Sequence, residues 1–133
     1  MIGFDQTNII LNSDGSIYHL GLFPRELNDI VLTVGDPERV FSISRHFDSI
    51  SLKKQKREFL INNGVYNGIN ISVISTGMGT DNIDIVLNEL DILANMNLKT
   101  GKPNDKLRSL KIIRVGTSAA IQEDIKTGTI ILS

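Results

Sequence analysis

The sequence predicts an α/β fold with a central mixed, partly parallel β-sheet flanked by helices. Two observations carry this. The β-branched run Ile30 to Val34 passes through a glycine turn into a helical pattern, and the same plan of strand, glycine loop and helix repeats from Ile69 onward. Continuous apolar runs of this length are what strands buried on both faces of a parallel sheet look like, and their alternation with helices defines the class. A length of 133 residues fits a single domain, residues 1–133.

The elements follow in order. Asn8 to Leu11 is apolar enough for a strand, Ser13-Asp14-Gly15-Ser16 offers a turn, and Ile17 to Leu20 is read as the returning strand. After the strand Ile30 to Val34, Asp36 can cap a helix, Pro37 suits its first turn and Glu38 complements the helix dipole. Val40, Ile43 and Phe47 then recur at helical spacing. Arg57 to Tyr66 reads as a strand with a bulge at Asn62-Asn63-Gly64, and Asn67-Gly68 is a two-residue hairpin turn into Ile69 to Ile74. The loop Ser75 to Thr80 carries two glycines. Asp81 can cap the next helix, whose apolar stripe is Ile83, Val86, Leu87, Leu90, Leu93 and Ala94. Lys99 to Arg108 reads as a polar, flexible connection, Leu110 to Val115 as a third strand and Gly128 to Leu132 as a last one.

Composition narrows the function. The 41% hydrophobic and 22% charged fractions are those of a chain that buries a core. A net charge of −1 supplies no field to recruit nucleic acid or a membrane surface. The absence of cysteine excludes a disulfide scaffold, a thiolate metal site and a cysteine nucleophile. No basic-then-apolar leader opens the sequence, and no apolar run approaches the ~20 residues that span a bilayer. The expectation is a soluble, cytoplasmic domain with no nucleic-acid or membrane partner.

Ligands of such sheets bind beyond the carboxyl ends of the strands. Three glycine turns fall at three such ends, at Gly35, Gly77 to Gly79 and Gly116. Gly35 lets main-chain amides approach an anion, the following helix points its positive end there, and Arg39 can fork onto phosphate oxygens. The same residues also read as a plain helix start with a solvated Arg39. Arg114 stands among Ile112, Ile113 and Val115, where a buried guanidinium needs an anionic partner; it reads equally as a strand-end arginine whose stem snorkels to water. Thr117 adds a hydroxyl beside it. The lysine-rich stretch Lys53 to Arg57 reads as a solvated face, and neither His19 nor His46 has a partner at a catalytic or metal-ligand spacing.

Five segments, in order, resemble the nucleoside phosphorylase superfamily, and its uridine phosphorylase branch most closely. They are Tyr18 to Leu22, Gly35 to Val40, Lys56 to Phe59, Ser75 to Gly79 and Arg114 to Gln122. The resemblance implies the family fold and phosphorolysis, in which phosphate attacks a nucleoside to give free base and ribose 1-phosphate. Phosphate is then a co-substrate; no cofactor and no metal are implied. Gly35, Arg39, Arg57, Arg114, Gly116 and Thr117 match phosphate-binding positions. His19, Met78 and Thr117 match positions around the ribose, His19 at the 5′-hydroxyl. Ser118 and Ala119 lie near the base, Ala119 where the family usually has glycine. Arg57 and His19 match residues lent to a neighbouring subunit, so the resemblance implies at least a dimer. Glu58 matches a carboxylate of an interface cation site whose serine position is Asn82 here, and no cation is assigned.

No catalytic residue is expected in this stretch. Phosphate is itself the nucleophile, so the protein's task is orientation and charge. The family's base-recognition residues follow the strand matching Gly128 to Leu132. The chain is therefore expected to be the N-terminal half of such a domain, truncated and inactive alone. Two other readings stay open: a non-catalytic paralogue serving as a binding or assembly module, and a purine nucleoside phosphorylase relative. A generic α/β nucleotide-binding domain is disfavoured, because no Gly-x-Gly-x-x-Gly opens a helix and the loop Thr76 to Thr80 gives only Gly-x-Gly.

Overall fold

The computed structural model describes residues 9–133, so the Asn8 end of the first expected strand lies outside them. Their elements are β1 (Ile30–Val34), α1 (Pro37–Ser44), β2 (Ser49–Lys56), β3 (Phe59–Tyr66), β4 (Ile69–Ser75), α2 (Thr80–Asn95), the two-residue strands β5 (Met96–Asn97) and β6 (Lys102–Pro103), and β7 (Lys111–Arg114). Five strands form one sheet in the order β2-β3-β4-β1-β7. β1 runs parallel to both β4 and β7, while β2, β3 and β4 are antiparallel to one another. The sheet is mixed, with a helix on each face.

Strand alternation sorts side chains between those faces. Val31, Phe59, Ile61 and Ile74 pack with Val86, Leu90 and Leu93 of α2 and with Ile17, Leu20 and Leu22 of the N-terminal segment. Val34, Leu60 and Val73 face the other way and pack with Val40 of α1. Each such Leu, Ile or Val contributes about 1.5–3 kcal/mol by leaving water. The α1 layer is thinner. It leaves an open cavity of about 650 Å³ lined by Leu32, Ile43, Phe47, Tyr66, Ile71 and Val115, with Arg39 and Thr117 at its polar side.

Several local readings hold. Asp36 caps α1, its carboxylate accepting the Glu38 N–H at 2.9 Å. Asn67 and Gly68, at φ 47° and 77°, make the two-residue turn that pairs Tyr66 with Ile69. The bulge lies at the expected place but on the facing strand: β2 carries the extra residue, between Ile50 and Leu52, opposite Asn63 and Gly64.

Other readings are corrected. Ile17 to Leu20 is not a strand; a single bridge joins Leu11 to Ile17 and the chain then turns. The expected strand from Arg57 begins at Phe59, because Arg57, at φ 54°, lies in the turn that joins β2 to β3. Gly79, not Asp81, is the N-cap residue of α2. Lys53 to Arg57 is not simply a solvated face. Lys54 points inward to the Gly21 carbonyl (2.9 Å) and Glu26 (2.7 Å), and Lys56 reaches the Tyr18 carbonyl. The Lys99 to Arg108 connection is tied down rather than free. β5 pairs with β6, and Arg108 donates to Asp29 through Nε (3.0 Å) and Nη2 (2.7 Å) and to the Leu27 carbonyl. Gly128 to Leu132 forms no strand: Ile130, Ile131 and Leu132 are exposed, and the segment pairs with no strand among the described residues.

The Asp14 turn has a pH signature. Hydrogen bonds from the Ser16 hydroxyl (2.6 Å) and the Ser16 N–H (2.9 Å) hold the Asp14 carboxyl below its usual range. Its folded value lies under the unfolded one, so the turn is at full strength above the ordinary aspartate pKa of about 3.9 and is lost as pH falls through the lowered value. The Ser16 amide resonance is expected to stay constant from neutral pH to about 4 and to move only below that. In Asp14→Asn the movement disappears.

Candidate functional site

Because β1, β4 and β7 are parallel, their carboxyl ends share one edge of the sheet. The ladder is prolonged on both sides of β1. The Thr76 N–H donates to the Val34 carbonyl, and the Val115 N–H donates to the Thr33 carbonyl, both at 2.8 Å. The three glycine loops therefore start in line. A methyl group placed on Gly35 would lie 3.7 Å from the Gly77 carbonyl oxygen and 3.9 Å from Arg114 Nη2. One placed on Gly116 would lie 3.9 Å from Arg114 Nε. Arg39, in the first turn of α1, reaches across so that its Nη2 lies 3.4 Å from Thr117 Oγ1. Arg39, Gly116 and Thr117 thus line one cavity, and the Arg114 guanidinium lies between Gly35 and Gly116.

The two guanidiniums make no ion pair among the described residues. The ion pairs among the described residues are His19–Glu89, Lys54–Glu26 and Arg108–Asp29, and none of them engages Arg39 or Arg114. Two guanidiniums without a carboxylate, beside a glycine turn, form a site suited to a small polyanion. Two steps of the sequence argument change. Arg114 is exposed, not buried, because β7 is the edge strand and all four of its residues face solvent. Nor are the first α1 amides open to an anion, since Asp36 accepts from the Glu38 N–H and from the Arg39 N–H. The side-chain donors at this end of the sheet are the guanidiniums and the Thr117 hydroxyl.

Arg57, Glu58 and His19 form a second group at the same end of the sheet, whereas Ser118 and Ala119 line a cavity with Arg114, Gly116 and Thr117. β3 begins where β4 ends, so the Arg57-Glu58 turn stands beside the Gly77 loop. Arg57 stacks on Tyr18, 5.6 Å from its ring centre, and its Nη2 lies 3.5 Å from the Tyr18 hydroxyl. His19 meets Tyr18 and Phe59 edge-on and is held by Glu89. Glu58 Oε1 accepts from Asn82 Nδ2 at 3.1 Å, so an amide donor occupies the carboxylate at this position. Met78 is 91% exposed at the loop tip. Ser118 and Ala119 are exposed in the segment after β7. No hydrogen bond or ion pair among the described residues joins this second group to Arg39 or Arg114. Among those residues no three His, Asp or Glu side chains cluster as metal ligands.

Glu89 was not singled out from sequence. The available signal was a carboxylate on the buried stripe of α2, three residues after Val86 and four before Leu93.

A profile of the phosphorylase superfamily matches residues 29–133. The chain belongs to this superfamily. It is 36% identical over 116 residues to a DeoD-type purine nucleoside phosphorylase of Geobacillus stearothermophilus, covering 86% of this chain and 44% of that protein. It is 35% identical over 120 residues to a uridine phosphorylase of Thermococcus kodakarensis, covering 90% and 38%. Among solved structures, a Trypanosoma brucei nucleoside phosphorylase reported to show uridine phosphorylase activity superposes with a TM-score of 0.79 at 36% identity, covering 89% of this chain and 41% of that one. This phosphorylase-superfamily chain thus spans less than half the length of the relatives it matches.

Proposed function

We propose that the chain, as a single domain of residues 1–133, supplies the phosphate-binding part of a nucleoside phosphorylase site, acting on uridine or a purine nucleoside in the cytoplasm. The observation that carries this is that Arg114 lies between Gly35 and Gly116 while Arg39 meets Thr117, with no carboxylate among the described residues paired to either guanidinium. Phosphate is the nucleophile and no cofactor is needed. The arginines fix it against the ribosyl carbon as positive charge develops there, and the leaving base takes the bond electrons. Arg57 and His19 project from the second group toward a neighbouring subunit's phosphate and ribose, which makes the assembly at least a dimer. Met78, Ser118 and Ala119 border the ribose and base.

The test is turnover of uridine and of inosine, with and without phosphate. It is run on this chain and on a fusion carrying the remaining portion of the Thermococcus uridine phosphorylase. The chain alone is expected to bind phosphate without turnover, and the fusion to release base and ribose 1-phosphate. Base release independent of phosphate would overturn the reading.

Gly35 gives a separate prediction. A methyl there meets its nearest neighbours at ordinary van der Waals distance, and no positive φ constrains the residue. Gly35→Ala is therefore expected to fold with stability within about 0.5 kcal/mol of the parent. It fills the space an anion would use, and phosphate affinity is expected to fall about tenfold, the equivalent of roughly 1.4 kcal/mol. A thermal melt and a phosphate titration on the same sample check both halves.

A further inference from the structure

We infer that Glu89 is a positioning residue for His19, holding its Nδ1–H inward and thereby presenting Nε2 outward as an acceptor for a sugar hydroxyl. The hydroxyl's identity rests on the phosphorylase reading; the tautomer does not.

Glu89 is 7% exposed, on the face of α2 that buries Val86, Leu90 and Leu93. A carboxylate there is costly unless its oxygens are satisfied. Here they are. Oε2 accepts the Leu20 N–H at 2.8 Å, and the His19 N–H is shared between Oε1 (2.9 Å) and Oε2 (3.2 Å). His19 Nδ1 lies 2.8 Å from Oε1. The two main-chain groups can only donate, so the carboxyl is an acceptor. Nδ1, facing the same oxygen, must then carry hydrogen. In the neutral ring this leaves Nε2 as a bare lone pair.

The surroundings keep the ring in that attitude. Tyr18 and Phe59 flank it edge-on, with ring centres at 4.9 and 6.4 Å. The cations nearby, Lys56 and Arg57, stack on Tyr18 rather than on the imidazole. The His19 side chain is 24% exposed, which leaves one edge available to a ligand. A neutral nitrogen acceptor suits a hydroxyl donor and not an anion. The sugar hydroxyl at His19 is therefore received by different chemistry from the phosphate at the arginines.

The test needs no turnover. The chain contains two histidines, so ¹⁵N-histidine labelling gives two ring systems, and His46→Gln assigns them. In its neutral ring His19 is expected to show a protonated Nδ1 and a bare Nε2. In Glu89→Gln, with folding checked by circular dichroism, the pattern is expected to move toward the Nε2–H form. An Nε2–H form in the parent chain overturns the inference whether or not the variant folds. So does an unchanged pattern in a folded variant, as a purely structural clamp would give. A second readout uses the fusion described above. There Glu89→Gln is expected to lower kcat/KM for uridine about tenfold and to leave that for 5′-deoxyuridine within about twofold, the loss of a hydrogen bond made only by the hydroxyl. Equal losses on both substrates overturn the hydroxyl assignment. A fusion that turns over neither nucleoside counts against the phosphorylase reading, and the ring spectra still decide the role of Glu89.

Discussion

Arg114→Met is expected to weaken phosphate binding by on the order of 10- to 100-fold, because a hydrogen bond to a charged group contributes about 1.5–3 kcal/mol. Stability is expected to stay within about 0.5 kcal/mol of the parent, as for other exposed substitutions. The reasons for the two halves differ. The side chain leaves an edge strand whose four residues all face solvent, so methionine removes no core contact. The charge it removes has no carboxylate partner among the described residues, so no buried acid is stranded. What is lost is a fork of donors above Gly35, 3.9 Å from where a side chain there would begin. Arg114→Lys separates charge from geometry. It keeps the charge without the planar fork and is expected to fall between the parent and methionine. The measurement is a phosphate titration at fixed, stated ionic strength, since screening weakens every exposed charge contact. An unchanged affinity in Arg114→Met would remove this arginine from the site.

Much of that site is legible in sequence because of one topological fact. Parallel strands place their carboxyl ends on one edge, so glycine turns after β1, β4 and β7 converge although more than 80 residues of chain separate the first from the last. The side-chain environment is less legible. Ile112, Ile113 and Val115 leave Arg114 readable either as buried or as a strand-end side chain, and Ile113, 53% exposed, goes with the second. Local composition does not reveal whether a strand lies inside a sheet or at its edge. Similarly, the motif Gly35-Asp36-Pro37 announces a helix start but not that Asp36 takes up the first free amide itself.

The fold shows the same division. Asn67-Gly68 dictates its turn because both residues must take positive φ, which is a local requirement. β2 was missed because its sequence, Ser49 to Lys56, is mostly polar. Its inward positions include Lys54 and Lys56, whose stems lie along the sheet while their ammonium groups reach carbonyls of the N-terminal segment. A lysine that acts as half an apolar residue hides the two-residue period. Gly128 to Leu132 fails in the opposite way: its residues suit a strand, but the segment stays unpaired, and pairing is not written in local composition.

Gly64→Ala is expected to be the most damaging single-methyl change, costing about 3 kcal/mol as an overpacked core does. A Cβ at this position would lie 2.3 Å from Phe47 Cδ2 and 2.4 Å from the Ser49 carbonyl oxygen. φ at Gly64 is not positive, so space and not backbone freedom demands glycine. Phe47 can turn away only by abandoning the cluster it shares with Leu32, Ile43 and Ile71. The Ser49 carbonyl cannot turn away at all, because it belongs to β2 just before the bulge at Ile50 and Leu52. The sheet must therefore open at β2 or α1 must lift. α1 carries Arg39, and its end is tied to β3 by the Asn62 Nδ2 bond to Ser44 Oγ at 2.8 Å. Lifting it draws Arg39 away from Thr117. Gly64→Ala is thus expected to lower the urea midpoint and to weaken phosphate binding together, whereas Arg114→Met weakens binding alone and leaves the midpoint in place. A Gly64→Ala protein with the parent's midpoint would mean that β2 does not approach β3 as closely as this geometry requires. Its intact phosphate affinity would then show that Arg39 is held by something other than the α1–β3 contact.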